Sequence, residues 1–64
     1  MKLKSNNYFL VSIQWYDIIK DMPLEKVGEL CRAFFMIADG ENYVSDDVDV
    51  NHVLELFKDV NGFR

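Results

Sequence analysis

The stretch Tyr8–Met22, YFLVSIQWYDIIKDM, decides how this chain folds. Only Ser12, Gln14, Asp17, Lys20 and Asp21 in it are plainly polar, so it carries nearly two apolar stripes where a surface helix needs one. It is therefore either the centre of a small core or a contact surface for a second chain. Two periodicities overlap in it. Phe9, Val11, Ile13 and Trp15 alternate as in a strand, while Tyr8, Val11, Trp15, Ile18 and Met22 recur at helical spacing. The β-branched, aromatic start favours an extended lead-in through Val11. Ser12 is then the N-cap of a helix over 12–21, with Asn7 as the cap if the helix begins earlier. On that reading Trp15, Ile18 and Met22 face the core, and Tyr16 and Ile19 lie on a flank.

Downstream, Met22-Pro23 breaks the chain and opens a second helix over 23–39, because proline disfavours a helical residue before it but suits a first turn. Glu25 complements the positive end of that helix. Leu24, Val27, Cys31, Phe34 and Ala38 form its apolar stripe, widened by Leu30 and Ile37, and Glu29 and Arg32 form an exposed pair at three-residue spacing. Gly28 costs about 1 kcal/mol relative to alanine, which points to the close approach of another helix. Asp39-Gly40 ends the helix with a left-handed glycine. Glu41–Val48 is an acidic connector, with Tyr43 and Val44 expected to tuck onto the core. Asp47 or Asp49 caps a third helix over 49–60, whose stripe is Val50, Val53, Leu54, Phe57 and Val60 and whose stop is Asn61-Gly62. These features predict an all-α fold, a compact three-helix domain with a short extended N-terminal lead-in, spanning 1–64 and frayed over 1–7 and 62–64.

A chain of 64 residues buries only roughly 60% of its unfolded surface, so its stability is marginal without help. Cys31 is the sole cysteine and His52 the sole histidine, which removes disulfides and disfavours a structural metal. Half of the residues are apolar, and self-association is the remaining source of stability; a dimer is its simplest form. The apolar run at the N-terminus is too interrupted for a signal peptide and too short and polar for a membrane span. With one free thiol, this composition predicts a cytoplasmic protein. No Lys or Arg lies between Arg32 and Lys58, whereas Asp39, Glu41, Asp46, Asp47, Asp49 and Glu55 are acidic. That half repels phosphates, so nucleic acid is a disfavoured partner.

No constellation of catalytic residues stands out. Cys31 and His52 could form a thiolate–imidazole pair, but Cys31 falls in an apolar stripe and reads as a small core hydrophobe, and His52 reads as solvated. Asp47-Val48-Asp49-Val50-Asn51 has the alternating oxygens of a calcium loop, yet His52 replaces the turn glycine and Lys58 the bidentate glutamate. The glycines at 28, 40 and 62 are isolated and form no phosphate cradle. No catalytic residue, cofactor or metal is expected. Neighbouring aromatics carry more information. Trp15 and Tyr16 cannot both face one core from one helix, and Phe35 points about a quarter-turn from Phe34. Trp15, Tyr16, Ile19 and Phe35 are thus the candidate protein-interaction residues, and Asp46, Asp47 and Asp49 form a candidate acidic surface.

The residue order Phe9-Leu10-Val11, Trp15, Ile18-Ile19, Met22-Pro23, Gly28-Glu29-Leu30, Ala33-Phe34 and Asp39-Gly40-Glu41 resembles a small helical domain of unknown function encoded by phages and prophages. That domain often stands at the N-terminus of phage replication-associated proteins, and Phe57-Lys58 resembles a step in its third helix. The likeness runs from about Phe9 to Lys58. Ser12 departs from it, standing where the family commonly has tyrosine. The resemblance implies phage or mobile-element origin and no catalytic residue. The function expected is a non-enzymatic protein-interaction module that self-associates through the apolar flank of helix one. The alternatives are an acidic inhibitor of a host defence complex and a phage replication accessory protein.

Overall fold

The computed structural model describes residues 8–63, and the expected fraying of 1–7 lies outside them. The fold is all-α with three helices, and no strand occurs among the described residues. An extended lead-in, residues 8–12, reaches a 3-10 turn at Ile13–Trp15 that continues into a short helix α1, Tyr16–Ile19. Helix α2 spans Leu24–Ala38 and helix α3 spans Val48–Asn61.

The first helix is shorter than the 12–21 expected. Ser12 does cap it, its hydroxyl accepting from the Gln14 amide at 3.1 Å, but the backbone then winds tightly before making one α turn. β-Branched and aromatic side chains lose rotamer freedom in a helix, and the proline ahead pushes Met22 out of helical geometry. The other boundaries agree with the sequence to within about a residue. Pro23 is the extended residue before α2, and its carbonyl accepts from Lys26 at 2.9 Å. Asp47, and not Asp49, caps α3, its carboxylate accepting from the amides of Asp49 and Val50 at 2.9 and 3.1 Å. Helices α2 and α3 end in the same way. A glycine at positive φ (93° at Gly40, 69° at Gly62) turns the chain, and the next amide returns to a carbonyl in the last helical turn, Glu41 to Met36 and Phe63 to Lys58, both at 2.9 Å. Gly62 and Phe63, expected to fray, thus close α3, and the Phe63 ring folds back to 5.7 Å from that of Phe57.

Helices α2 and α3 run in the same direction. Near the start of α2, Lys26 lies 3.5 Å from Asp46, just before α3. Midway, Phe34 stacks on Phe57 at 4.4 Å. At the far ends, Ile37, Gly40, Lys58 and Phe63 line one cavity. Two parallel helices need a return segment, and six extended residues, 41–46, supply about 20 Å, close to the roughly 22 Å length of α2. The connector alternates as an extended segment does. Tyr43 is half-buried against the core and Ser45 is buried, while Val44, expected to tuck in, is 80% exposed. Pairing Tyr43 with Val44 contradicts the two-residue side-chain period.

The core comprises Trp15 from the 3-10 turn, Leu30, Ala33, Phe34 and Ile37 from α2, and Val50, Val53, Leu54 and Phe57 from α3. Phe9 of the lead-in inserts among Phe34, Phe35 and Phe57, with ring centroids 5.0–6.0 Å apart. Ile18, Ile19 and Met22 pack against this core while half-buried. The stripe of α3 is as expected apart from Val60, which is 48% exposed. The stripe of α2 is rotated: Ala33 is buried, whereas Leu24 and Cys31, assigned to the core from the sequence, are exposed.

Two asparagines on α3 hold the extended segments against it, and each mimics a strand partner. The Asn51 amide accepts from the Ser45 N–H and donates to the Ser45 carbonyl, both at 2.8 Å. Asn61 does the same for Leu10, accepting from its N–H at 2.8 Å and donating to its carbonyl at 2.9 Å. The Leu10 clasp is exposed, so Asn61→Ala should cost only about 1 kcal/mol. The measurable consequence is local: hydrogen exchange of the Leu10 amide should accelerate while the amides of α2 and α3 keep their protection.

Candidate protein-interaction surface

The residues singled out for partner binding do not form one surface. Trp15, expected at the interaction surface, is instead a core residue at 6% exposure, its ring 6.2 Å from Phe34. Ile19 is half-buried against the core. Tyr16 is exposed, as is Phe35, which is 66% exposed and touches Phe9.

Phe35 belongs to a stripe that the sequence reading divided incorrectly. The outward face of α2 carries Leu24, Gly28, Cys31 and Phe35, all exposed, with Leu24 at 86%. Their spacing of four, three and four residues is that of a helix–helix seam. Gly28 was expected to mark a close helix approach, but a Cβ placed on it meets nothing within 4 Å. Among the described residues, Phe9 meets this face at Phe35, and nothing packs on Gly28. A groove of about 640 Å³ borders it on one side, between α2 and the lead-in, lined by Tyr8, Phe9, Arg32, Phe35 and Met36 among others. A second groove, of about 490 Å³, follows Glu25, Gly28, Glu29, Arg32 and Met36 to Tyr43 of the connector.

The wall of the second groove is polar and latched. The Tyr43 hydroxyl donates to the Glu29 carboxylate, and Lys26 lies 3.6 Å from Glu29 and 3.5 Å from Asp46. Glu29 therefore pairs with Lys26 and Tyr43, where the sequence implied an exposed pair with Arg32. The Tyr43 bond, then one from Ser45, holds the Glu29 carboxyl below its ordinary value of 4.5 despite some desolvation. The same bond to Glu29, followed by desolvation, raises the Tyr43 hydroxyl above 10.0. Glu29 thus binds its proton less readily in the folded chain. Its contribution to stability is present above the unfolded pKa and is lost as pH falls through the lower folded value. Tyr43→Phe should flatten that acid limb, which thermal unfolding followed from neutral pH downward will read.

The expected acidic surface is partly committed to structure. Asp47 is half-buried and caps α3, Asp46 is fully extended into solvent beside Lys26, and Asp49 is exposed in the first turn. Cys31 and His52 are both exposed. Among the described residues no three His, Cys, Asp or Glu side chains cluster to hold a metal ion, and no helix is long and apolar enough to cross a membrane. The clasps by Asn51 and Asn61 and the Tyr43–Glu29 latch were missed in the sequence; the helix-capping residues near them carried the only local signal. Compared with known proteins, the chain matches no family model, no curated protein and no solved structure.

Proposed function

We propose that this chain is a non-enzymatic protein-interaction module of phage or mobile-element origin that self-associates. The single observation supporting the interaction role is the seam Leu24–Gly28–Cys31–Phe35 on α2, exposed among the described residues and flanked by two grooves. A solvent-facing helix surface gains nothing from leucine and phenylalanine, and Gly28 lowers helix stability without relieving any contact among the described residues. The origin rests on the resemblance alone. The surface proposed here is on α2, which carries the expected Phe35, in place of the flank of helix one with Tyr16 and Ile19. The acidic-inhibitor reading receives less support, because Asp47 is engaged in capping and Asp46 lies beside Lys26.

Sedimentation velocity over a concentration series tests the proposal. The weight-average sedimentation coefficient should rise with concentration as monomer converts to dimer. A value that stays at the monomer throughout contradicts self-association.

A further inference from the structure

We infer that the partner seated on α2 is α2 of a second copy, packed antiparallel about a two-fold axis that passes between Glu29 and Leu30. This rests on the self-association proposed above and specifies its geometry. A two-fold contact must be self-complementary, so that each residue meets a suitable counterpart on the second copy. The seam satisfies this. With the axis between Glu29 and Leu30, Leu24 faces Phe35 of the second copy and Gly28 faces its Cys31, and both pairs share that one centre. Large residues thus meet large ones at the ends, and small meet small in the middle, where the helix axes approach most closely.

Charge supports the same pairing. Glu25 and Arg32 lie on the same flank of the seam, both on the exposed surface of α2. In antiparallel packing this flank runs beside its own copy, so Glu25 lies near Arg32 of the second chain and Arg32 near its Glu25. Parallel packing about a two-fold axis along the helices would instead set this flank against the opposite flank of the second copy, where Val27, Phe34 and Ala38 offer no charge to pair with Glu25 or Arg32. The opposite flank of α2 is occupied by the chain's own core, through Phe34 and Ala38. The open face is therefore one helix wide, which suits a single helix.

The arrangement makes a geometric statement about Cys31. Helices about 8 Å apart place the two Cys31 Cα atoms about 6 Å from each other across the axis, which a disulfide can span. Treatment of the purified protein with diamide, which accepts the two electrons and two protons released by a pair of thiols, should yield a Cys31–Cys31 dimer on a non-reducing gel. Gly28→Glu should prevent it. Its Cβ meets nothing in the monomer, so circular dichroism should show equal or greater helicity, while the dimer dissociation constant rises about tenfold or more. Glu25→Arg and Arg32→Glu should each weaken dimerisation about tenfold, and the double exchange should restore it.

The failures are distinguishable. Sedimentation as a dimer, with Cys31 still reduced after diamide and unaffected by Gly28→Glu, overturns the α2 seam and leaves self-association standing. A protein that is monomeric by sedimentation and yields no disulfide overturns both. A charge exchange that fails to restore dimerisation overturns the antiparallel register.

Discussion

Phe57→Ala should leave the chain unfolded at room temperature. Phe57 has no exposed surface, stacks on Phe34 at 4.4 Å, and meets Phe9 and Phe63 edge-on at 5.1 and 5.7 Å. It thus touches the lead-in, α2 and the C-terminal turn together. Removing a buried phenylalanine ring costs about 3–5 kcal/mol. A domain of 64 residues has roughly 3–10 kcal/mol to lose. Far-UV circular dichroism should show most of the helical signal gone, with no cooperative thermal transition. A variant that still melts cooperatively within a few degrees of the wild type would show that Phe57 does not join these elements.

Asn51→Ala should be the most damaging polar substitution. Ser45 is buried, and Asn51 satisfies both its N–H and its carbonyl. Alanine leaves two backbone groups without their protein partner at a site of low exposure, at a cost of about 2–3 kcal/mol. For a domain of this size that lowers Tm by about 10–20 °C. Asn51→Asp keeps the acceptor for the Ser45 N–H but sets a carboxylate oxygen against the Ser45 carbonyl, so it should recover only part of the loss. The contrast with Asn61→Ala follows from exposure: both asparagines bracket the N–H and carbonyl of one residue, Asn61 also donating to the Phe57 carbonyl at 3.0 Å, but water can replace the partner at Leu10.

The elements were legible in the sequence to the extent that local chemistry marks them. Met22-Pro23, Asp39-Gly40, Asp47 and Asn61-Gly62 each act through their own backbone geometry, and each lies where a helix starts or stops. The stripe of α3 was legible because its opposite face is polar. That of α2 was not, because two apolar stripes share one helix. Leu30, Ala33, Phe34 and Ile37 face the core, while Leu24, Gly28, Cys31 and Phe35 face out. Periodicity reveals both but does not say which one the chain's own core takes, so the expected stripe mixed members of each. Leu24 and Cys31 were placed inside for that reason.

The parallel course of α2 and α3 and the clasps across the fold were not legible, because they depend on contacts distant in sequence. Asn61 meets Leu10 across 51 residues, and nothing in the neighbourhood of either marks the pair. The excess of apolar residues in Tyr8–Met22 was read as a partner surface on helix one. Much of it is absorbed by the core: Trp15 is buried, and Phe9, Ile18, Ile19 and Met22 pack against it. Among the described residues, the regularly spaced exposed side chains lie one helix further along. A small domain exposes some apolar side chains singly, as at Ile13 and Val44, without implying a partner. What sets α2 apart is the regular spacing of its exposed residues around an open glycine.

An NMR dilution series with amide-resolved chemical shifts tests most directly whether α2 is the contact surface. Self-association through α2 predicts concentration-dependent shifts at Leu24, Gly28, Cys31, Arg32 and Phe35, with Tyr16 and the exposed face of α3 unmoved. Shifts that gather on Tyr16 and the flank of helix one, or no shifts at all, would contradict it.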